Sequence, residues 1–124
     1  ASRLNGASVL HLVQALIGSE LPAPPRVWLV TRGAVAAGDG SLRGVAQAPL
    51  LGLGQVVSAE HPEFRCTLID LDPAARADDV DRLASEIVTD AGGARVAFRD
   101  GVRMEAQLAR LAAAGVDRGA RLVL

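Results

Sequence analysis

Hydrophobic residues along this chain recur at two spacings, one typical of amphipathic helices and one typical of buried strands. The first helical pattern predicts a helix over residues 8–17, with Ser8 as its N-cap and Gly18 at its end. Its apolar stripe consists of Val9, Leu12, Val13, Leu16 and Ile17. Three prolines follow, so residues 19–26 are expected to form a connection without regular structure.

Residues 27–72 repeat the alternation and form the centre of the predicted fold. The apolar runs 27–30 and 66–71 predict two strands that are covered on both faces. Helical spacing predicts a helix over residues 42–59, with Pro49 in the first turn of its main part. The glycine-rich residues 31–41 predict a loop. Together these segments have the order of a β-α-β unit.

The last third of the chain predicts one more helix, a strand and a hairpin. The helix spans residues 78–90 and starts with acidic residues, which suit the positive end of the helix dipole. Its apolar stripe consists of Val80, Leu83, Ala84, Ile87 and Val88. A half-exposed strand follows over residues 95–99, and Asp100-Gly101 predicts a hairpin whose return strand continues towards Leu108 and Leu111. This order predicts an α/β domain of three layers, with a mostly parallel sheet and a C-terminal hairpin.

Composition and charge narrow the class of protein further. A chain of 124 residues, half of them hydrophobic, is long enough for one domain with a real core. Its aromatic share of 2% means that aliphatic residues must fill that core. The net charge of −1 argues against a nucleic-acid-binding face. Apolar runs too short to cross a membrane and the lack of a signal-like segment predict a cytoplasmic protein.

Two acidic residues are the first candidates for chemistry. Asp70 and Asp72 follow a predicted strand, at the position where open α/β sheets place functional groups. A carboxylate there can hold a ribose hydroxyl, and two together can bind a metal. No phosphate-binding loop accompanies them and no third metal ligand is evident, so a strand exit is the favoured interpretation.

The glycines of the central helix are the second candidate. Gly52 and Gly54 lack the third glycine of a dinucleotide-binding fingerprint and lie well past the end of the strand. We therefore interpret both as points of close packing against the sheet.

For the remaining reactive residues, a structural role is the favoured interpretation. His11 and His61 have no second ligand at metal-binding spacing, and Cys66 is predicted to be buried and inert. As a lone cysteine it also excludes an intrachain disulfide. Arg32 is the best candidate for a salt bridge or an interface contact. The sequence has no Tyr and no Lys, which reductases of the short-chain dehydrogenase type need as proton donor and nicotinamide-ribose ligand.

Four segments resemble the ketoreductase region of modular type I polyketide synthases. Residues 27–34 (VWLVTRGA) are similar to one of its strands and the turn after it, and residues 45–57 (VAQAPLLGLGQVV) to the helix that follows. The runs 59–73 and 96–101 resemble its next strand and its hairpin. These matches occur in the family's order and cover about residues 8–111.

The resemblance is to the N-terminal half of that region, a truncated Rossmann-like structural subdomain. It implies that residues 1–111 form this subdomain and that residues 112–124 are a linker or the start of the next element. It implies a further strand before Ser8. It also implies no catalytic, cofactor-binding or metal-binding residue here, because NADPH and the catalytic residues belong to the second half of the ketoreductase.

We therefore expect a non-catalytic subdomain that supports reduction of a β-keto thioester by its neighbour. Expected partners are the catalytic half, an enoylreductase or dehydratase neighbour and, indirectly, the acyl carrier protein, with neither nucleic acid nor membrane. Two alternatives stay open: a small nucleotide-binding α/β domain that uses Asp70, Asp72 and residues 31–44, and a free-standing docking module.

Overall fold

A four-stranded sheet organises the described part of the chain, residues 2–38 and 42–109 of a computed structural model. The strands are β1 (Trp28–Arg32), β2 (Thr67–Leu71), β3 (Arg95–Arg99) and β4 (Val102–Glu105), and they lie in that order. The pairs β1–β2 and β2–β3 are parallel, whereas β4 pairs with β3 in an antiparallel hairpin. The mostly parallel sheet with a C-terminal hairpin is confirmed.

Three helices accompany the sheet. They are α1 (Ser2–Ile17), α2 (Ala48–Glu60) and α3 (Asp79–Thr89). Two of them, α2 and α3, connect strands. A 3₁₀ turn, Val45–Gln47, leads into α2, and Pro49 lies in the first turn of α2 as predicted.

The first helix begins at Ser2 rather than at the predicted Ser8. The intervening segment contains no proline and only one glycine, Gly6. A glycine costs a helix about 1 kcal/mol relative to alanine, which is not enough to end it.

The two faces of the sheet carry separate cores, which confirms the three-layer arrangement. On the first face, α1 and α2 pack over β1 and β2 around the buried residues Val13, Leu29, Val57, Phe64, Cys66 and Leu68. On the opposite face, Leu83 of α3 packs against Ile69, Leu71, Val96 and Phe98. All five residues of β2 are buried, as a strand covered on both faces should be.

The predicted apolar stripe of α3 is only partly buried, so that prediction was wrong in part. Leu83 packs against the sheet, but the side chains of Val80 and Val88 are 76% and 85% exposed. The buried side of the helix instead carries Asp79 and Glu86. These two residues pair with arginines of the sheet, which rotates part of the apolar stripe towards solvent.

The two glycines of α2 have different environments. A Cβ on Gly54 would lie 2.7 Å from Leu68 Cδ2, so Gly54 is the predicted point of close packing. A Cβ on Gly52 would meet nothing within 4 Å, so the same prediction was wrong for Gly52.

Within the described ranges, no helix is both long and apolar enough to span a membrane. The return strand ends at Glu105, and residues 106–109 follow it without regular structure. The predicted continuation of that strand through Leu108 was therefore wrong, whereas Leu111 and the predicted linker over residues 112–124 lie outside the described residues.

Candidate functional site

The carboxyl ends of the parallel strands surround Asp70, which is 2% exposed. Its carboxylate accepts hydrogen bonds from Thr31 Oγ1 (2.5 Å) and from the backbone N–H groups of Ala34 (2.9 Å) and Val35 (3.1 Å). A fourth bond comes from Nη2 of Arg99, which forms an ion pair with it. With two donors on each oxygen, this carboxylate holds the loop after β1 and is not presented to a ligand.

Arg99 is the buried partner that balances this charge. Its Nη1 lies within hydrogen-bond distance of three backbone carbonyls, those of Asp70, Leu71 and Phe98. Its Nη2 also donates to the carbonyl of Val35, at 2.7 Å. The guanidinium therefore ties the ends of β2 and β3 to the loop that follows β1.

Asp72 and Arg32 close the same edge of the sheet. The Asp72 carboxylate accepts the N–H groups of Asp100 (2.7 Å) and Ala74 (3.1 Å). These bonds, chiefly that from Asp100, hold the pKa of Asp72 below its usual value. Arg32 donates to the Asp72 carbonyl and pairs with Asp79 at 2.7 Å, so the salt bridge predicted for Arg32 is confirmed.

The two candidate carboxylates thus bind different parts of the backbone, and they do not form a shared ligand site. In the ranges 2–38 and 42–109, no group of three or more His, Cys, Asp or Glu residues could hold a metal ion.

The other reactive side chains lie in separate places. His11 is exposed on α1, and His61 follows α2 with its Nδ1 3.1 Å from Glu63 Oε1. Cys66 is buried in the core under α1 and α2, and burial raises the pKa of its thiol. A thiol in this environment is inert at neutral pH, as predicted.

A groove that the sequence did not predict lies beside Asp70. Its volume is about 540 Å³, and α2, β3, β4 and the loop after β1 line it. Leu51 and Gln55 of α2 line it, as do Ala97 of β3 and Met104 of β4. The sequence indicates which residues of a strand share a face, but not how much of the sheet a helix covers.

The helical layer formed by α1, the 3₁₀ turn and α2 also exposes apolar side chains. Five aliphatic side chains of α1, the 3₁₀ turn and α2 are between 42% and 60% exposed. We call them the helical surface: Leu10, Leu12, Ile17, Val45 and Val56.

The first strand adds an unpaired sheet edge. Among the strands that the structure describes, β1 pairs with β2 alone, and Val30 in it is 38% exposed. Parallel sheets are normally buried, so such an edge is a site for another strand.

The four-stranded, mostly parallel sheet with helices on both faces defines a small α/β domain. Comparison with known proteins assigns the family. Residues 1–111 match the family "Polyketide synthase extender module SpnB, Rossmann fold domain". The chain therefore belongs to this family of Rossmann-fold domains from polyketide synthases.

Relatives and solved structures agree with this assignment. The chain is 35% identical over 107 residues to a phenolphthiocerol/phthiocerol polyketide synthase of Mycobacterium tuberculosis (strain CDC 1551 / Oshkosh), with 83% of this chain and 6% of the relative covered. It is 38% identical to polyketide synthase GfsA of Streptomyces halstedii, with 86% of this chain and 1% of that synthase covered. The chain thus spans only a small part of these relatives.

Two ketoreductase structures from modular polyketide synthases share the fold. An A-type ketoreductase superimposes with a TM-score of 0.72 at 36% identity, over 82% of this chain and 21% of that one. A C2-type ketoreductase gives a TM-score of 0.68 at 36% identity, over 86% and 24% of the two chains. The chain thus corresponds to a Rossmann-like subdomain of the ketoreductase region, as the sequence predicted.

Proposed function

We propose that this chain is the non-catalytic supporting half of a ketoreductase in a modular polyketide synthase. The observation that carries the proposal is the closed carboxyl edge of the sheet. Ligands of open α/β sheets bind at that edge, but here Asp70 and Asp72 bind backbone N–H groups of their own domain. The absence of Tyr and Lys from the sequence agrees with a supporting role.

The helical surface is the contact that we assign to the catalytic half. It exposes five aliphatic side chains. Burying it against a complementary apolar surface removes that area from water, at roughly 25 cal/mol per Å². In this way the chain would hold the shape of the neighbouring half, including its substrate and cofactor sites.

The free edge of β1 is the second contact in this proposal. Helix α1 packs on the same face of the sheet as α2. The connection through α2 places β2 on one side of β1. A connection of the same handedness through α1 would place another strand on the other side of β1. This is the first strand that the family resemblance implies, and pairing it would satisfy the unpaired backbone groups of β1.

The remaining assignments concern the whole synthase. NADPH would bind in the catalytic half, which would reduce a β-keto thioester carried by an acyl carrier protein. This chain would contribute no catalytic, cofactor-binding or metal-binding residue. An enoylreductase or dehydratase would be a further neighbour, and the synthase would be cytoplasmic.

An NADPH titration of this chain by calorimetry tests the proposal, with circular dichroism to show that the chain is folded. We expect no heat of binding from the folded chain. A second arm adds the chain to the separately produced catalytic half and measures NADPH oxidation with a β-keto thioester. We expect the chain to raise the stability and rate of that half; micromolar NADPH binding by the chain itself would overturn the proposal.

A further inference from the structure

The fourth strand forms the other edge of the sheet. Among the strands that the structure describes, β4 pairs with β3 alone. It has four residues, and Val102 at its start is 55% exposed. A strand at the edge of a sheet carries backbone N–H and C=O groups that can pair with another strand.

The hairpin fixes which of these backbone groups point outwards. In an antiparallel pair, alternate residues direct both their N–H and C=O groups towards the neighbouring strand. The Ala106 N–H donates to the carbonyl of Arg95 at 3.0 Å, so Met104, two residues earlier, also faces β3. The N–H and C=O groups of Arg103 and Glu105 therefore point away from β3, towards the open edge.

The side chains of these two outward residues carry opposite charges. Arg103 and Glu105 lie on the same face of the strand, and their side chains are 32% and 38% exposed. Arg103 Nη1 lies 3.6 Å from Glu105 Oε2, which is too long for a hydrogen bond. Each group can therefore take a closer partner of opposite charge.

A second copy of the same strand supplies such partners. Charged side chains on an edge strand normally oppose its pairing with other strands. If two copies run antiparallel about Met104, however, Arg103 of each copy lies opposite Glu105 of the other. The adjacent registers would place Arg103 opposite Arg103 or Glu105 opposite Glu105, and like charges directly opposite each other are destabilising. One register thus satisfies both the charges and the outward backbone groups.

We propose that β4 is a self-association edge, at which two copies of this chain pair antiparallel about Met104 to form one continuous sheet. Each pair of Arg103 with Glu105 of the second copy exchanges both N–H···O bonds across the edge. Because the two-fold axis makes the contact isologous, it closes a dimer and does not build a fibre. A contact this short forms a weak dimer. The proposal does not depend on the supporting role proposed above, which uses the helical surface and the edge of β1.

Disulfide formation in the full chain tests this register. Met104→Cys places two thiols directly opposite each other across the axis, with Cα atoms about 4.5 Å apart, a separation that a disulfide can span. Val102→Cys is the matched control, because it lies on the same face of the same strand but would be roughly 14 Å from its copy, too far for a disulfide. The native Cys66 is buried in both variants.

With oxidised glutathione as oxidant, we expect Met104→Cys to form a covalent dimer at least about tenfold faster than Val102→Cys. Val102 is the more exposed of the two positions, so random collision would favour the control. Equal rates, or faster linkage of Val102→Cys, would overturn the proposal.

Sedimentation equilibrium with proline variants gives a second test, which needs no new thiol. Glu105→Pro removes an outward N–H group and leaves the bonds to β3 in place, as an edge strand tolerates. Val30→Pro is the matched control at the edge of β1. Its N–H points away from β2, as does that of Arg32, which donates to Gln47 Oε1. Circular dichroism shows whether each variant is folded.

We expect the unchanged chain and Val30→Pro to form dimers as the concentration rises into the millimolar range. For Glu105→Pro we expect a dissociation constant at least about tenfold higher. A chain that stays monomeric throughout would contradict the proposal. So would a dimer that Val30→Pro weakens as much as Glu105→Pro does, because the edge of β1 would then form the contact. If Glu105→Pro does not fold, the disulfide rates decide.

Discussion

The carboxyl edge of the sheet and the helical surface distribute polar and apolar groups in opposite ways. At the carboxyl edge, the charges of Asp70 and Arg99 are buried and bonded to each other and to backbone. On the helical surface, side chains such as Leu12 and Val45 are more than half exposed to solvent. The usual arrangement of a globular domain, apolar inside and charged outside, is reversed at both places.

The proposed contact with the catalytic half follows from this difference. A Rossmann-like sheet offers its carboxyl edge to a ligand only if polar groups there are free to bind one. Here those groups bind the loop after β1, whereas exposed apolar side chains lie on the helices that we propose contact the catalytic half. If this contrast is correct, changes at the carboxyl edge should affect stability, and changes on the helical surface should affect association.

The largest effect is expected from Asp70→Asn. The amide keeps the size of the side chain but leaves the buried Arg99 guanidinium without its counter-charge. Removing one partner of a buried ion pair costs about 3–5 kcal/mol, which we expect as a fall in the free energy of unfolding in urea. The control is Asp81→Asn, an exposed residue of α3, which should change stability by less than about 0.5 kcal/mol. Equal effects of the two variants would show that the buried pair does not hold this edge.

A change on the helical surface should weaken association and leave stability almost unchanged. Val56 is 51% exposed on α2, so Val56→Asp should leave the stability of the isolated chain within about 0.5 kcal/mol. Its charge would be buried in the proposed contact with the catalytic half, and we expect the affinity for that half to fall by at least about tenfold. Calorimetry between separately produced halves measures this loss.

Val88→Asp is the matched control, because Val88 is equally aliphatic and 85% exposed but lies on α3, across the sheet. It should not change the affinity. If both variants weaken association alike, the contact is not specific to the helical surface.

The two glycines of α2 test close packing within one helix. Gly54→Ala places a Cβ 2.7 Å from Leu68 Cδ2 and 3.1 Å from Leu29 Cδ1, and both leucines are buried. Overpacking of this kind typically costs about 1–3 kcal/mol. Gly52→Ala meets open space and should stabilise the helix by up to about 1 kcal/mol. Thermal unfolding of both variants should therefore shift in opposite directions, and shifts of the same sign would contradict the packing described.

Local patterns predicted the elements well because each depends on residues close together in sequence. Strand β3 has the predicted bounds, Arg95–Arg99, and Asp100-Gly101 forms the predicted hairpin turn. The family could also be identified from the sequence, because several short segments resemble it and occur in the family's order. Predicting these features does not require knowing which residues far apart in the sequence are in contact.

Features that depend on distant partners were not predictable. The bond between Asp70 and Arg99 joins two strands, and nothing near either residue in the sequence indicates the other. The partial exposure of α3 has the same origin, because Arg32 and Arg103 pair with its buried acidic residues. The groove depends on how far α2 extends across the sheet, which hydrophobic spacing does not encode.

The smallest expected effect is on the pH dependence of stability, through Asp72. Its pKa is lowered in the folded chain, mainly by the hydrogen bond from the Asp100 N–H and also by that from Ala74. A carboxyl group with a lowered folded pKa stabilises the fold above its ordinary pKa, and this contribution is lost as the pH falls through the lowered value. Asp72→Asn should therefore reduce stability at neutral pH and make the loss of stability on acidification shallower. Urea unfolding at a series of pH values between neutral and strongly acidic measures the slope for both proteins. Parallel curves, offset by a constant amount, would mean that Asp72 acts through hydrogen bonds alone and that its ionisation does not couple to folding.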